Sequence, residues 1–383
     1  MRVFSISSQG VVESAQLPER VPERGYVWIA CARGELERLQ GPIQATLQAL
    51  CGGTLVDLHV SDLLNKQLPS HYDYTSQYDM LVFRRLAAGP SETELGPPGP
   101  ASNGTAKRGG PPILRRIDTS PVGFAVFDQV LLTVHPTDCA VRDAYASRLL
   151  NAAQAQARPA GELPAGAAPV DLRGATRVPA SPADLMLRVV NLMVDGFLAL
   201  RRELTRQLDH WQAELLAPRT RFNNWGALLD ARLALHQLDE ICEDQRTAVQ
   251  DWIAALESWP EPDTPAGQRE RELLKVRSRD VLEHIERVVH HVRRLEQSVE
   301  TAVQMHFSAQ SNRTNDIMRT LTALTAIFLP LNLITGFFGM NFEFLPLIHT
   351  AVGLWLAIGA MVLVALALGL VFWRKRYLAR SGR

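Results

Sequence analysis

The segment TLTALTAIFLPLNLITGFFGMNF, residues 320–342, decides the fold of this chain, because its 23 residues include no Asp, Glu, Lys or Arg. Glu343 follows, and a second uncharged segment of 30 residues then runs from Phe344 to Trp373. A helix of roughly 20 apolar residues crosses the hydrocarbon core of a bilayer. Both segments are long enough, so they predict two transmembrane helices. A buried helical hairpin in a soluble core is the weaker alternative, because two adjacent uncharged runs of this length are rare there.

Basic residues set the expected orientation. The tail RKRYLARSGR, residues 374–383, is strongly basic, whereas the link between the two uncharged segments has no Lys or Arg. By the positive-inside rule the tail is cytoplasmic. We therefore expect spans over 320–341 and 351–373, an external loop over 342–350, and both termini on the cytoplasmic side of a cell inner membrane.

The remaining composition leads us to expect that the rest of the chain lies in the cytoplasm. The start, MRVFSISSQGVVESAQ, lacks the basic and then apolar order of a signal peptide. The cysteines contain no C-x-x-C pair, which argues against a disulfide framework or a thiolate metal site; they are Cys31, Cys51, Cys139 and Cys242. Lys plus Arg and Asp plus Glu number 40 each, so net charge predicts no nucleic-acid partner.

Residues 1–156 have the pattern of a mixed α/β domain. GELERLQGPIQATLQALC, residues 34–51, has helical spacing. The segment 87–112, rich in Pro, Gly and small polar residues, is predicted to be a flexible insertion between two strands. Runs of strand length are GYVWIACA at 25–32, TLVDLHV at 54–60, DMLVFRRL at 79–86 and VGFAVFDQVLLTVHP at 122–136.

The second half of the soluble part is predicted to be helical. A Pro- and Gly-rich linker over 157–182 leads into a helical stalk over 183–319. The last helical pattern begins near Arg269 and meets no Pro before Pro330. A single helix of roughly 60 residues would therefore continue from the stalk into the first span.

A polar stripe marks the first span. Positions that recur at steps of three and four fall on one helical face; they are Asn315, Met318, Thr322, Thr325, Leu329, Asn332 and Gly336. Polar side chains in a span face other helices or a water-filled path. The stripe is therefore either the lining of a pore built by several copies or a set of helix-packing contacts. Neutral amide and hydroxyl oxygens would suit a hydrated Mg²⁺ ion, and Met318 and Leu329 would suit apolar constrictions.

The end of the first span carries a family signature. Gly339–Met340–Asn341 follows an aromatic residue, and a second apolar segment with a basic tail comes next. This arrangement resembles the CorA family of divalent-cation channels, whose hallmark is G-M-N at this place. The similarity extends over residues 311–346, and more weakly to RDVLEH at 279–284.

The resemblance implies an α+β membrane protein that assembles as a homopentamer, with its first spans around a pore and its second spans outside. It implies channel-like transport of hydrated divalent metal cations, most of all Mg²⁺ and also Co²⁺ or Ni²⁺, driven by the ion gradient and the membrane potential. The mouth would be formed by Gly339, Met340, Asn341 and Glu343. The pore would be lined by Asn315, Met318, Leu321, Thr322, Thr325, Leu329, Asn332 and Gly336. Asp280 would hold a regulatory Mg²⁺ that keeps the pore shut.

Several features leave the transported ion open. Leu347 stands where the family often has a second acid, which weakens the cation-attracting field at the mouth. The ZntB zinc-transporter branch shares the architecture, so Zn²⁺ is the alternative cargo. A membrane-anchored cytoplasmic sensor is a further alternative, although it needs neither the stripe nor G-M-N. No nucleophile–base set, nucleotide-binding loop or cofactor motif predicts an enzyme or a prosthetic group.

Overall fold

The computed structural model describes residues 1–7, 10–86, 119–157, 178–216, 225–340 and 351–374. By its internal contacts the chain divides into two compact units, Met1–Val299 and Glu300–Arg383. The predicted insertion, most of the linker, Asn341 at the end of the first span, the external loop with Glu343, and the tail beyond Arg374 lie outside the described residues.

The first unit contains one seven-stranded sheet. Its strands are β1 (Arg2–Ser7), β2 (Gly10–Ser14), β3 (Gly25–Ala32), β4 (His71–Tyr74), β5 (Asp79–Leu86), β6 (Thr119–Val126) and β7 (Val130–His135). They are ordered β2-β1-β3-β7-β6-β5-β4. Strands β3 and β7 are parallel, and the other neighbours are antiparallel. The expected strands at 25–32 and 79–86 are confirmed, and the run at 122–136 forms most of the hairpin β6–β7. The hairpin β1–β2 was not predicted.

Three short helices follow in the same unit: α1 (Arg33–Arg38), α2 (Gln40–Cys51) and α3 (Asp57–Leu64). The helical prediction for 34–51 is confirmed, whereas the strand predicted for TLVDLHV is wrong. Its alternation of apolar and polar residues looks like a strand. However, His59, Val60 and Leu63 are buried at helical spacing, while Val56 and Leu58 are exposed. The packing of this helical face against the core decides the conformation.

One face of the sheet is covered by these short helices. Val27 and Ile29 of β3 belong to one core cluster with Ile43 of α2 and Leu63 of α3. The close approach of α3 to the sheet depends on Gly123 in β6, where an added Cβ would overlap the Leu63 side chain. This packing confirms a mixed α/β arrangement.

Three longer helices complete the unit before the last long helix begins: α4 (Ala140–Ala157), α5 (Pro182–Leu216) and α6 (Trp225–Ser258). Helix α5 contacts the sheet at β5, and α6 contacts β4 and β5. The amide of Gln245 in α6 donates a hydrogen bond of 2.7 Å to the backbone oxygen of Arg84. The stalk helices are thereby attached to the sheet.

Helix α7 runs without interruption from Pro265 to Phe338 and includes Pro330, which confirms the prediction of one long helix. In the first unit its buried residues recur at steps of three and four, as in Val281, Ile285, Val288 and Val292. Beyond Ala302, only Ala323 among its residues is buried.

The second unit consists of the end of α7 and of α8 (Ala351–Arg374) within the described residues. Both helices are long and apolar enough to cross a membrane, and only 6% of each apolar window is buried. A helix in a soluble core would be mostly buried, so the buried-hairpin alternative does not fit. This exposure favours contact with lipid or with further copies of the chain.

Candidate cation path and Asp280 site

The predicted polar stripe lies entirely on α7 and is exposed. At about 100° of rotation per residue, its seven positions fall within an arc of about 100°. The side chains of Asn315, Thr322, Thr325 and Asn332 are all exposed, and Leu329 is 70% exposed. The structure therefore leaves the whole stripe uncovered in a single chain.

The covered face of the same helix segment points the other way. Ala323 is fully buried, and Ile327, Pro330 and Ile334 are partly buried. These positions are roughly opposite the stripe on the helix circumference. The helix is thus covered on one side by its own chain and presents its polar side outward.

The threonine hydroxyls in the stripe are oriented by their own helix. Thr322 Oγ1 donates a hydrogen bond of 2.8 Å to the Met318 carbonyl, and Thr325 Oγ1 donates one of 2.9 Å to the Leu321 carbonyl. A hydroxyl has one donor and two acceptor sites. Because the proton is used within the helix, the oxygen lone pairs remain as acceptors, which suits the outer water hydrogens of a hydrated cation.

The helix ends within the signature. The backbone N–H of Gly339 donates to the Thr335 carbonyl at 2.9 Å, and α7 ends at Phe338. Gly336, Gly339 and Met340 are exposed at this end. The amide of Asn341 and the carboxylate of Glu343 lie outside the described residues, so their roles stay predictions.

Asp280 lies on the first-unit part of α7, with its side chain 57% exposed. The Nε2 atom of His284, one turn along the same helix, lies 3.8 Å from the Asp280 carboxylate. Within the described part of the chain, no group of three His, Cys, Asp or Glu side chains is arranged to hold a metal ion.

Asp280 also borders a cavity of about 340 Å³ among α4, α5 and α7. Three arginines line it, namely Arg148, Arg188 and Arg277. Sequence reasoning did not find this group, because its members are far apart along the chain. The one local indication is the i, i+4 spacing of Asp184 and Arg188, which form an ion pair.

Comparison with known proteins adds a family to this geometry. Residues 170–376, just over half of the chain, match the family described as CorA-like Mg²⁺ transporter protein. The chain is 24% identical over 194 residues to the cobalt/magnesium transport protein CorA of Thermotoga maritima, covering 51% of this chain and 52% of that protein. It is 34% identical over 101 residues to the magnesium transport protein CorA of Haemophilus influenzae, covering 26% and 32% respectively. The matched segments thus span about half of the first relative and a third of the second.

Two solved structures share the fold. The complete structure of the CorA magnesium transporter from Methanocaldococcus jannaschii matches with a TM-score of 0.67 and 17% identity, covering 100% of this chain and 98% of that chain. The ZntB cytoplasmic domain from Vibrio parahaemolyticus matches with a TM-score of 0.54 and 12% identity, covering 82% and 98%. At these identities the likeness shows the architecture alone, and the complete structure confirms an α/β domain followed by a long helix whose end is the first of two apolar C-terminal segments.

Proposed function

The chain belongs to the family of CorA-like Mg²⁺ transporter proteins, and from this premise we propose that it is a channel-like transporter that passes hydrated divalent metal cations through a membrane. The family is one of transporters and not of enzymes, so no catalytic residue is assigned. The ion is cargo, most of all Mg²⁺, with Co²⁺ and Ni²⁺ also accepted.

The exposed polar stripe on α7 is the observation that carries the proposal. A single helix cannot enclose a path, so the stripe must face copies of itself around an axis. In a homopentamer, Asn332 and Thr325 would form rings of neutral oxygens, and Leu329 would form an apolar ring between them. Dewetting at such an apolar ring would close the path.

The outer mouth is assigned by the family signature. Asn341 would offer its amide oxygen to the water shell of the first ion, next to Gly339 and Met340. Glu343 would raise the local cation concentration, because five like charges around one axis act together.

The driving force is the ion gradient together with the membrane potential. A potential of 100 mV is worth about 2.3 kcal/mol per unit charge, so a divalent ion gains roughly twice that. An inner membrane that is negative inside draws cations inward, and in the proposed orientation both termini lie on the cytoplasmic side that the cation enters.

Asp280 is proposed as the regulatory metal residue. In a pentamer its exposed carboxylate would share a Mg²⁺ ion with a neighbouring copy, so the occupied site would hold the stalks in the closed arrangement. Loss of cytosolic Mg²⁺ would then loosen the ring and open the pore. The exposure of the Asp280 carboxylate supports a site that is shared between copies.

A flux assay with the full-length protein in liposomes tests this function. Mg²⁺ uptake should rise with an inside-negative potential and should fall in Asn341→Ala. If neither Mg²⁺ nor Co²⁺, Ni²⁺ or Zn²⁺ crosses above the rate of empty vesicles, the transport proposal is wrong.

Zinc is the second candidate cargo, because the fold is also that of the ZntB cytoplasmic domain. The names of the relatives, magnesium and cobalt/magnesium transport proteins, favour Mg²⁺. Competition between Mg²⁺ and Zn²⁺ with and without a pH gradient separates the two. Zinc uptake that depends on the gradient, with Mg²⁺ excluded, would assign the chain to zinc transport.

A further inference from the structure

The cavity beside Asp280 has a basic wall. It lies within the first unit and is lined by Arg148 of α4, Arg188 of α5 and Arg277 of α7. Asp280, at its border, is the one acidic residue of the lining. Three arginines and one aspartate therefore line a space of about 340 Å³.

The buried carboxylate of Asp184 holds the guanidinium groups of Arg188 and Arg277 in place. This carboxylate is 1% exposed and forms ion pairs with Arg188, at 3.1 Å, and with Arg277. The backbone N–H of Ala180 donates a further hydrogen bond of 3.1 Å to Asp184. One buried carboxylate balances only one of the two cations, so the pair keeps a net positive charge with its geometry fixed.

Two more polar groups of the wall have no ion-pair or hydrogen-bond partner among the described residues. Arg148 is exposed and forms no ion pair with any residue that the structure describes. The buried Oδ1 atom of Asn191 likewise has no hydrogen-bond partner among those residues. The two ends of an amide are interchangeable in orientation, so Asn191 can present either an acceptor or a donor to the cavity.

We propose that this cavity binds the phosphate group of a small phosphorylated molecule. A guanidinium fork matches the geometry of phosphate oxygens, and pre-positioned arginines lose little freedom on binding. The cavity volume lies at the lower end of the range for small-molecule pockets. Leu149, Leu187 and Val281 form an apolar part of the wall, which suits the organic part of a phosphate ester.

This site is independent of which ion the protein carries. Asp280 repels a bound anion from the rim, so its neutralisation should strengthen phosphate binding. Replacing Arg148 should weaken phosphate binding, whereas neutralising Asp280 should strengthen it. General destabilisation of the fold would weaken binding in both variants.

Calorimetric titration of the full-length protein, in a phosphate-free detergent, tests the proposal with adenosine monophosphate and inorganic phosphate as probes. We expect both to bind, adenosine monophosphate more tightly. Arg148→Gln should weaken the binding of adenosine monophosphate about tenfold, as expected for the loss of one charge-assisted hydrogen bond. Asp280→Asn should tighten the binding of adenosine monophosphate several-fold. Arg279→Gln, which removes an exposed arginine outside the cavity, should leave it unchanged.

Because the Arg148 side chain is exposed and unpaired within the described part, its variant should keep the parent Tm. Wild-type affinity in Arg148→Gln, or weaker binding in Asp280→Asn, would overturn the site. Tighter binding of inorganic phosphate than of adenosine monophosphate would overturn the assignment to an organic phosphate. None of these results depends on transport, so this proposal and the transport proposal fail separately.

Discussion

The indole Nε1 of Trp252 in α6 donates a hydrogen bond of 2.9 Å to the Ser278 hydroxyl in α7, and both side chains are almost fully buried. A buried donor left without its partner costs about 1–3 kcal/mol. We therefore expect Ser278→Ala to lower the free energy of unfolding by about this amount, measured as a lower Tm. Ser258→Ala removes an exposed hydroxyl with a local bond to Ala255 and should change the Tm little. Equal losses in both variants would contradict the assigned role of the Trp252–Ser278 bond.

Two threonines on α7 give a matched test of the cation path. Thr325 lies in the stripe and Thr335 outside it, yet both are exposed and both donate to the carbonyl four residues earlier. Replacing Thr325 by Val keeps the shape and removes the acceptor oxygens. We expect the Mg²⁺ flux of this variant in liposomes to be several-fold lower than that of the parent, whereas Thr335→Val should keep the parent's flux. The pore lining would be refuted by unchanged flux in Thr325→Val.

The same face should bring copies of the chain together. Cysteines introduced at Thr325 should cross-link between subunits in membranes, giving a covalent dimer, because one thiol per subunit can form only one disulfide bond. Leu324→Cys is the control, since Leu324 is exposed but lies away from both the stripe and the covered face. Gel electrophoresis of the oxidised protein reads the result. A dimer band from Leu324→Cys but not from Thr325→Cys would place the axis on another face.

His135 should make the stability of the first unit fall in acid. It is 2% exposed, and neither ring nitrogen has a hydrogen-bond partner among the described residues. Burial, assisted by the nearby charge of Arg142, lowers the pKa of His135 from 6.5 to about 3. As the pH falls below 6.5, His135 becomes protonated in the unfolded state but stays neutral in the folded state. The free energy of unfolding therefore decreases as the pH is lowered towards about 3. Between pH 7.5 and pH 5.5, His135 alone should lower the free energy of unfolding by about 1.4 kcal/mol.

Denaturant unfolding at the two pH values checks this expectation. His135→Leu should lose about 1.4 kcal/mol less than the parent on acidification. His290→Leu, which removes an exposed histidine, should retain the parent's dependence. A parent-like slope in His135→Leu would show that His135 is not the group responsible.

Neutralising Asp280 should remove the response to Mg²⁺. A ligand that binds only the folded state stabilises it by RT ln(1 + [L]/Kd), so millimolar Mg²⁺ should raise the Tm of the parent. Asp280→Asn should lose most of that rise. Glu283→Gln removes an equally exposed carboxylate one turn away, paired with Arg287, and should keep it. An equal rise in all three proteins would exclude Asp280 as a metal ligand.

The parts of the fold that depend on composition could be predicted from the sequence. The spans follow from a hydrocarbon layer that admits few charges, and the long helix from the lack of Pro or Gly between Arg269 and Pro330. Residues 54–60 were assigned wrongly because seven residues carry too little periodicity. There the choice between strand and helix rests on the contacts of Val60 and Leu63 with residues distant in sequence.

The candidate sites divide in the same way. The stripe could be predicted because it repeats along one helix. The basic cavity could not, because Arg148, Arg188 and Arg277 come from three helices and meet only in the folded unit. The buried Asp184 that positions two of them looks, in sequence, like an ordinary helix-start acid.

The pairing of Leu86 with Thr119 at the adjoining ends of β5 and β6 has a practical consequence. These residues are direct cross-strand partners, so the two strand ends that residues 87–118 connect lie side by side. A short turn in their place would preserve every strand register. The same point can accept a fluorescent protein or an affinity tag without interrupting a strand.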